Sequence, residues 1–270
     1  MALLVRTWNL FHGNAVPVER RAYVAEMLGL AIADEPDVLC AQEVPVWALE
    51  RLDEWSGMRV FASVARRPSI GPLPSTARLG RRLTDLNAGR LRSAFAGQAN
   101  AILLAPEHRG SEAGSIVLNA RAFRRAQGRW LELDPIARLA WAKERRTCHA
   151  VRLSFSDGRR ALVANLHATG SPDKRIPDAE VVRAATFADA LAAPDELCVL
   201  AGDFNVRPDV SRTLLDLTGP DWGFSDPGPG IDHVLVRGAP STPAMPWRLQ
   251  RRRVGQRLLS DHAPVEVTIE

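Results

Sequence analysis

Leu197-Cys-Val-Leu-Ala-Gly-Asp-Phe-Asn205 opens as an apolar run and closes on Gly202-Asp203-Phe204-Asn205. A short unbroken apolar run is the pattern of a strand buried on both faces. A carboxylate and a carboxamide two residues apart repeat at the strand period, so both are expected on one side. Gly202 lets a backbone or a ligand come close. Polar groups released from a buried strand into a cleft are one way to build a reactive site. An Asx turn, with Asp203 and Asn205 bonding local backbone, accounts for the same residues. Both readings stay open on this stretch alone.

The flanking sequence repeats the theme. Residues 3–9 read as a first strand with Asn9 near its end. Pro17 suits the first position of a helix, whose apolar face is Val18, Ala22, Ala25, Leu28 and Ala31. Residues 37–43 form an apolar strand ending on Glu43. A helix at 47–54 and a strand at 58–64 follow, then a basic segment at about 66–97. There Arg78, Arg81, Arg82, Arg90 and Arg92 alternate with Leu79, Leu83, Leu86, Leu91 and Phe95. That spacing suggests an amphipathic helix, either a solvated cover whose leucines pack on a sheet or an element that faces substrate. Strands are expected at 98–104, 115–119, 129–133, 147–155 and 161–167, with a hairpin turn at Ser156-Asp-Gly158. A helix capped by Asp178 and one at 208–217 precede strands at 230–236, 247–254 and 263–269. No internal repeat interrupts this order, and residues 1–270 are read as one domain.

Composition narrows the class. No apolar run nears the ~20 residues needed to span a bilayer. No export signal is visible, so a cytoplasmic protein is expected. The three cysteines, Cys40, Cys148 and Cys198, are widely spaced in apolar contexts and read as reduced core residues. Net charge is +4 and the pI about 9.5, with arginine far in excess of lysine, which favours a phosphate-bearing partner.

Asn9, Glu43, Asn100, His167, Asp203, Asn205, Asp232, Asp261 and His262 occupy equivalent places at or beside strand ends. Gathered at one edge, they would make a cleft crowded with carboxylates, which repel each other unless a cation is present. Oxygen ligands from Asp, Glu and Asn suit Mg²⁺ or Mn²⁺. A histidine beside a carboxylate can serve as a base near neutral pH. These are the parts needed to split a phosphoester with water.

The same residues resemble the endonuclease/exonuclease/phosphatase superfamily of metal-dependent phosphoesterases. The resemblance rests on Thr7-Trp8-Asn9, Gln42-Glu43, Asn100-Ala-Ile-Leu, Asn165-Leu-His167-Ala-Thr, Gly202-Asp203-Phe-Asn205, Ile231-Asp232-His233 and Ser260-Asp261-His262-Ala-Pro-Val, in family order. It implies a DNase I-like α+β fold, a four-layer α/β/β/α sandwich. It implies Glu43 as principal metal ligand, with Asn9 beside it and Asp261 able to join. His262 would be the general base and Asp232 the carboxylate that orients it. Asp203 would position the nucleophile or hold a metal, Asn205 would donate to the phosphoryl oxygens, and His167 would contact the phosphate or protonate the leaving oxygen. Asn100 would brace or line the substrate site. Arg145 stands where family members often carry a basic residue near the phosphate.

Other residues are expected to be structural. His233 should point to the face opposite Asp232. His12, His108 and His149 have no motif around them and read as surface or satisfied polar groups. Arg146 reads as solvated, and Arg251-Arg252-Arg253 as an exposed hairpin. His167 stands where abasic-site endonucleases of the exonuclease III type carry tyrosine, which disfavours abasic-site repair. Nucleic acid is the leading substrate, on charge and the arginine-rich segment. A lipid headgroup or small phosphorylated molecule is the alternative, with peripheral membrane contact through Leu79, Leu83 and Leu86. A binding module without catalysis would show a broken site, and every expected residue is present.

Overall fold

The computed structural model describes residues 2–86, 95–155 and 157–270. Two sheets pack face to face. One has six strands in the order Met245–Pro246, Val265–Ile269, Leu3–Asn9, Val38–Val44, Gln98–Leu104, Arg59–Arg66. The other has five: Asp232–Arg237, Leu197–Asp203, Arg160–His167, Thr147–Ser154, Arg109–Val117. Leu3–Asn9 runs parallel to Val38–Val44, and Arg160–His167 parallel to Leu197–Asp203. Parallel neighbours need a crossover, and the helices Val24–Ala31 and Arg175–Leu191 supply the two. Each crossover brings two strands to the same edge, so Asn9 lies opposite Gln42 and His167 opposite Asp203. Asp232, on an antiparallel strand, falls opposite Asp203.

Strand periodicity sorts the apolar residues into layers. Leu3, Val5, Val38 and Cys40 meet Val163, Val199 and Val234 between the sheets. Leu39 and Ala41 face outward onto Met27 and Leu28. Leu162, Leu200 and Leu235 face outward onto Val181, Ala184 and Ala188. The result is the expected four-layer α/β/β/α sandwich. All three cysteines are free and buried. Among the described residues, no helix is long and apolar enough to cross a membrane.

Beneath the site the inner layer turns polar. Gln42 Nε2 donates to Asn165 Oδ1 (2.8 Å) and Thr7 Oγ1 (2.9 Å). Asn165 Nδ2 donates to the carbonyls of Ala41 (3.0 Å) and Ala101 (2.9 Å). This fully buried amide pair ties one sheet to the other. At Gly202 (φ +139°) a Cβ would lie 1.9 Å from Leu166 O, so the close approach that the glycine permits is that of the neighbouring strand.

Several elements differ from the sequence expectation. The first helix begins at Val24, because Ala15–Val16 is held extended by pairing with Arg257–Leu259. Residues 129–133 are not a strand: Arg121–Trp130 and Pro135–Ala142 are helices, the second capped by Asp134, whose side chain accepts from Ala137 N. Residues 247–254 contain a 3₁₀ turn, Leu249–Arg252, that buries Arg252. In the basic segment, Ala77–Leu86 is helical, but its buried residues are Gly80 and Thr84, while Leu79 and Leu86 are exposed. Arg90, Leu91 and Arg92 lie outside the described residues, as does Ser156 of the hairpin turn.

Candidate active site

The parallel pairs and the loop before the last strand deliver their polar residues to one edge between the sheets. Strict alternation would send Gln42 inward and Glu43 outward beside Leu39 and Ala41. Instead, the ladder to Gln98–Leu104 shifts register between Ala41 and Val44, and Glu43 adopts φ 52°. Such a bulge re-aims a side chain. Here it turns the carboxylate toward His12 Nε2 (2.9 Å) and His167 Nε2 (3.6 Å). Burial alone would push the Glu43 pKa up. The charge and hydrogen bond of His12, with the Arg146 charge adding to them, overcome it and hold Glu43 well below the usual carboxylate range.

Asp203 ends its strand pointing inward and is nearly fully buried. Its Oδ2 accepts from Asn9 Nδ2 (2.9 Å) and lies 3.5 Å from His167 Nε2. Its Oδ1 accepts from Asn205 N (3.0 Å), so the Asx turn and the reactive placement coexist. Burial, and then the charge of Asp232, push its pKa up to about 7. His262 Nδ1 lies 2.8 Å from Asp232 Oδ2, and its Nε2 faces Asp203 Oδ2 (3.9 Å) and Asp261 Oδ1 (4.0 Å). Burial opposes charge on this imidazole, but the Asp232 bond and the surrounding carboxylates outweigh it and raise the pKa to about 10.

The Ser260–His262 turn is itself clamped. Ser260, at φ 60°, donates to Asn9 O (2.7 Å) and accepts from His262 N (3.0 Å). Arg252 Nη1 donates to the carbonyls of Ser260 (2.8 Å) and His262 (2.7 Å), and Trp8 Nε1 donates to His262 O (3.0 Å). Arg252 is therefore an internal brace, where a charge run suggested an exposed hairpin. Phe11, His12, Glu43, Asn205 and Ser260 all have positive φ. For non-glycine residues this is strained backbone, and strain of this kind collects at functional sites.

Two residues join the site that the sequence reading left out. His12 is buried against Glu43, not at the surface. Arg146 is 9% exposed, with Nη1 2.7 Å from His167 Nε2 and Nη2 donating to Glu144 Oε2 (2.8 Å). An imidazole nitrogen facing a guanidinium presents a lone pair. Burial and the Arg146 charge accordingly hold the His167 pKa well below its ordinary value. Arg145, the neighbour expected at the phosphate, points outward and is exposed. The strand period gave no signal for Arg146: Val151 and Leu153 face the other sheet while Cys148 and Ala150 face the helices, so alternation would turn Arg145 inward, and Arg146 reaches His167 from outside the strand that begins at Thr147. No local signal marks His12.

The remaining expected residues are placed as follows. Asn205 Nδ2 donates to Ala168 O (3.0 Å), leaving its second amide hydrogen. Asn100 is buried and donates to Thr147 O (3.1 Å), joining the sheets. Asp261 is half exposed at the mouth, and partial burial raises its pKa, with Glu43 and Asp232 adding to the effect. His233 points away, its ring between the carbonyls of Pro227 and Val206. His108 is buried against Asp37 (2.6 Å).

The donor set fits a divalent cation that prefers oxygen. Asp203 and Asp261 are both pushed toward protonation by burial and by neighbouring carboxylates, a repulsion that a cation would relieve. Ligand atoms of Asp203, Asp232 and His262 lie within 4.8 Å of one another. The Asp232–His262 contact already occupies two of those groups. Glu43 lies against His12, Asn9 Oδ1 accepts from Phe11 N (2.9 Å), and Asp261 is half exposed at the mouth.

No curated protein matches the chain. Solved structures do, at low identity. A conserved protein of unknown function from Enterococcus faecalis V583 is 15% identical, with TM-score 0.68 over 99% of each chain. Humanised D. rerio TDP2 is 15% identical, with TM-score 0.59 over 100% of this chain and 99% of that one. The human Nocturnin catalytic domain, solved with a bound sulfate anion, is 13% identical, with TM-score 0.61 over 100% of this chain and 93% of that one. At this identity the likeness speaks for the fold. The sequence profile of the Endonuclease/Exonuclease/phosphatase family matches residues 7–262, nearly the whole chain. The chain belongs to that family, whose members are hydrolytic phosphoesterases.

Proposed function

We propose that the protein hydrolyses a phosphodiester with the aid of Mg²⁺ or Mn²⁺, and that its substrate is a nucleic acid. The observation that carries this reading is the 2.8 Å His262–Asp232 contact, with His262 Nε2 facing a group of carboxylates. Glu43, with Asn9 and Asp261, would hold the ion. When bound, the ion balances charge on the phosphoryl oxygens and acidifies a water. His262 Nε2 would take the proton from the attacking water once a bound cation offsets the Asp203 and Asp261 charges that help keep the imidazole protonated. Asp232 holds Nδ1–H, which fixes the tautomer and stabilises the imidazolium that forms. Asp203 orients the water. His167, kept neutral beside Arg146, contacts the phosphate, and the guanidinium offsets the charge that builds there. Asn205 donates its remaining amide hydrogen. Both sheets contribute residues, so we read 1–270 as one domain serving one site.

Exposed Leu79 and Leu86 beside Arg78 and Arg82 support a second reading. In it, the helix Ala77–Leu86 lies on an anionic membrane and the substrate is a lipid headgroup. The test is cleavage of single-stranded DNA, duplex DNA, RNA, sphingomyelin and phosphoinositides with Mg²⁺, against EDTA and His262→Ala controls. Turnover of a nucleic acid, abolished by EDTA and by His262→Ala with the fold intact, is the expected result. Full activity of His262→Ala would remove it as the base, and turnover of lipids alone would reverse the substrate assignment.

A further inference from the structure

The helices Arg121–Trp130 and Pro135–Ala142 enclose a cleft of about 330 Å³ lined by Arg124, Arg125, Arg129, Arg138 and Trp141. We infer that this cleft is an anion subsite that grips a phosphate of a nucleic-acid strand next to the one being cut. The inference rests on the nucleic-acid reading above and adds a place on the molecule where the strand is held.

Charge is the first argument. Most buried or half-buried arginines here have an acidic partner: Arg6 with Asp34, Arg146 with Glu144, Arg152 with Glu196. Among the described residues, none of the four cleft arginines has one. Arg124 Nε donates to Asn119 O (2.8 Å) and Arg138 Nη2 to Gly128 O (2.9 Å). These bonds fix the two forks but leave their charge uncompensated. Arg125 and Arg129 are exposed and one helical turn apart, a like-charge pair that works against the helix. Folding alone does not require four guanidinium groups around one hollow. A phosphate between them would offset the repulsion and accept from their planar forks.

Position is the second argument. Asn119 is shared by cleft and site: its carbonyl accepts from Arg124, and its Oδ1 accepts from Arg146 N (2.9 Å). Arg146 in turn touches His167. On the other side, Trp141 Nε1 donates to Glu180 Oε1, and Glu180 Oε2 accepts from Thr169 N (2.6 Å), two residues beyond His167. Both braces make the cleft a neighbour of the reactive edge. Its concavity suits a discrete phosphate better than a flat lipid surface. Ile136 and Leu139, which are exposed, sit about 100° or more around the helix from Arg138.

The test uses the full chain carrying His262→Ala, Mg²⁺, a fluorescein-labelled single-stranded oligodeoxynucleotide and anisotropy over a salt series. Adding Arg125→Gln and Arg129→Gln should weaken binding about tenfold or more. It should also lower the slope of log affinity against log salt by about 1.4, from roughly 0.7 per lost contact. Arg59→Gln with Arg109→Gln removes equal charge at the opposite strand ends and should leave that slope in place. If the cleft pair loses its fold by circular dichroism, Arg129→Glu alone replaces it, with the same expectation of weaker binding. Equal effects of the two pairs, no effect of either, no strand binding by the parent, or binding only to phosphatidylserine vesicles would each overturn the subsite. Hydrolysis of bis(4-nitrophenyl) phosphate by the unaltered chain reads the proposed function separately. Its absence, with strand binding still dependent on Arg125 and Arg129, removes the hydrolase reading and keeps the subsite. The reverse pattern keeps the hydrolase and removes the subsite.

Discussion

Arg146 and Arg145 are adjacent in sequence and opposite in fate. One lies against His167 with its guanidinium buried, and the other projects into solvent. Residue type could not separate them, and strand alternation would have turned Arg145 inward; both precede the strand that begins at Thr147, and only the tertiary contact with His167 decides. Alternation does place Asp232 inward and His233 outward, and there it was readable in advance. Glu43 is the exception that proves costly to local reasoning, because a register shift puts it on the face that alternation denies it. Arg146→Gln tests the residue scale. It removes a charge that adds to burial in holding His167 neutral and to His12 in holding Glu43 ionised. We expect kcat to fall on the order of a hundredfold, the size seen when one oriented donor is lost from a reacting phosphoryl or acyl group. A loss below about threefold in steady-state kinetics would take Arg146 out of the reaction.

At the scale of elements, the two parallel pairs set the site. Gly202 lets the Asp203 strand lie against the His167 strand, and a Cβ there would meet Leu166 O at 1.9 Å. Gly202→Ala should therefore separate these strands and cost more than about 3 kcal/mol, at the severe end for one substitution. A urea midpoint equal to that of the unaltered chain would show that the strands can relax. The helices Arg121–Trp130 and Pro135–Ala142 were not legible as helices. Arg121–Trp130 is arginine-rich, its Phe123 packs edge-on against Trp141 (centroids 6.0 Å apart), and Ala122, Ala126 and Trp130, which recur at helical spacing, stay exposed, so its short apolar stripe is not the core-facing one that marks most surface helices. Asp134-Pro135, a cap followed by proline at the first helical position, was the one local signal for the second helix.

Over the whole molecule, buried His149 and exposed Asp34 are among the groups that make stability depend on pH. His149 lies between the sheets, 5% exposed, and burial lowers its pKa to about 4. Between the ordinary value of 6.5 and about 4, the unfolded chain binds a proton that the native chain refuses. Acid therefore favours unfolding across that window, by up to about 1.4 kcal/mol for each pH unit. Asp34, bonded by Arg6 and Arg251, has its pKa lowered to about 2. Its contribution is present above the ordinary value of 3.8 and is lost as pH falls toward 2. His149→Leu should reduce the loss of stability between pH 6.5 and 4, to which His167 also contributes, while leaving the decline below it. An unchanged profile by urea titration would mean that His149 is not the sensor. Much else was settled by sequence. The two-residue period and the apolar runs determined the central strands and their polar ends, because a strand buried on both faces has few other ways to look; the four layers came with the family resemblance. The motif order determined the family. Tertiary structure alone decided which charges are internal. Arg6, Arg146 and Arg252 carry the same side chain as the exposed Arg145 and Arg253. Their burial depends on partners brought in by other elements, such as Glu266 on the strand paired with that of Arg6 and His167 beside Arg146, and those partners meet them only once the strands have assembled.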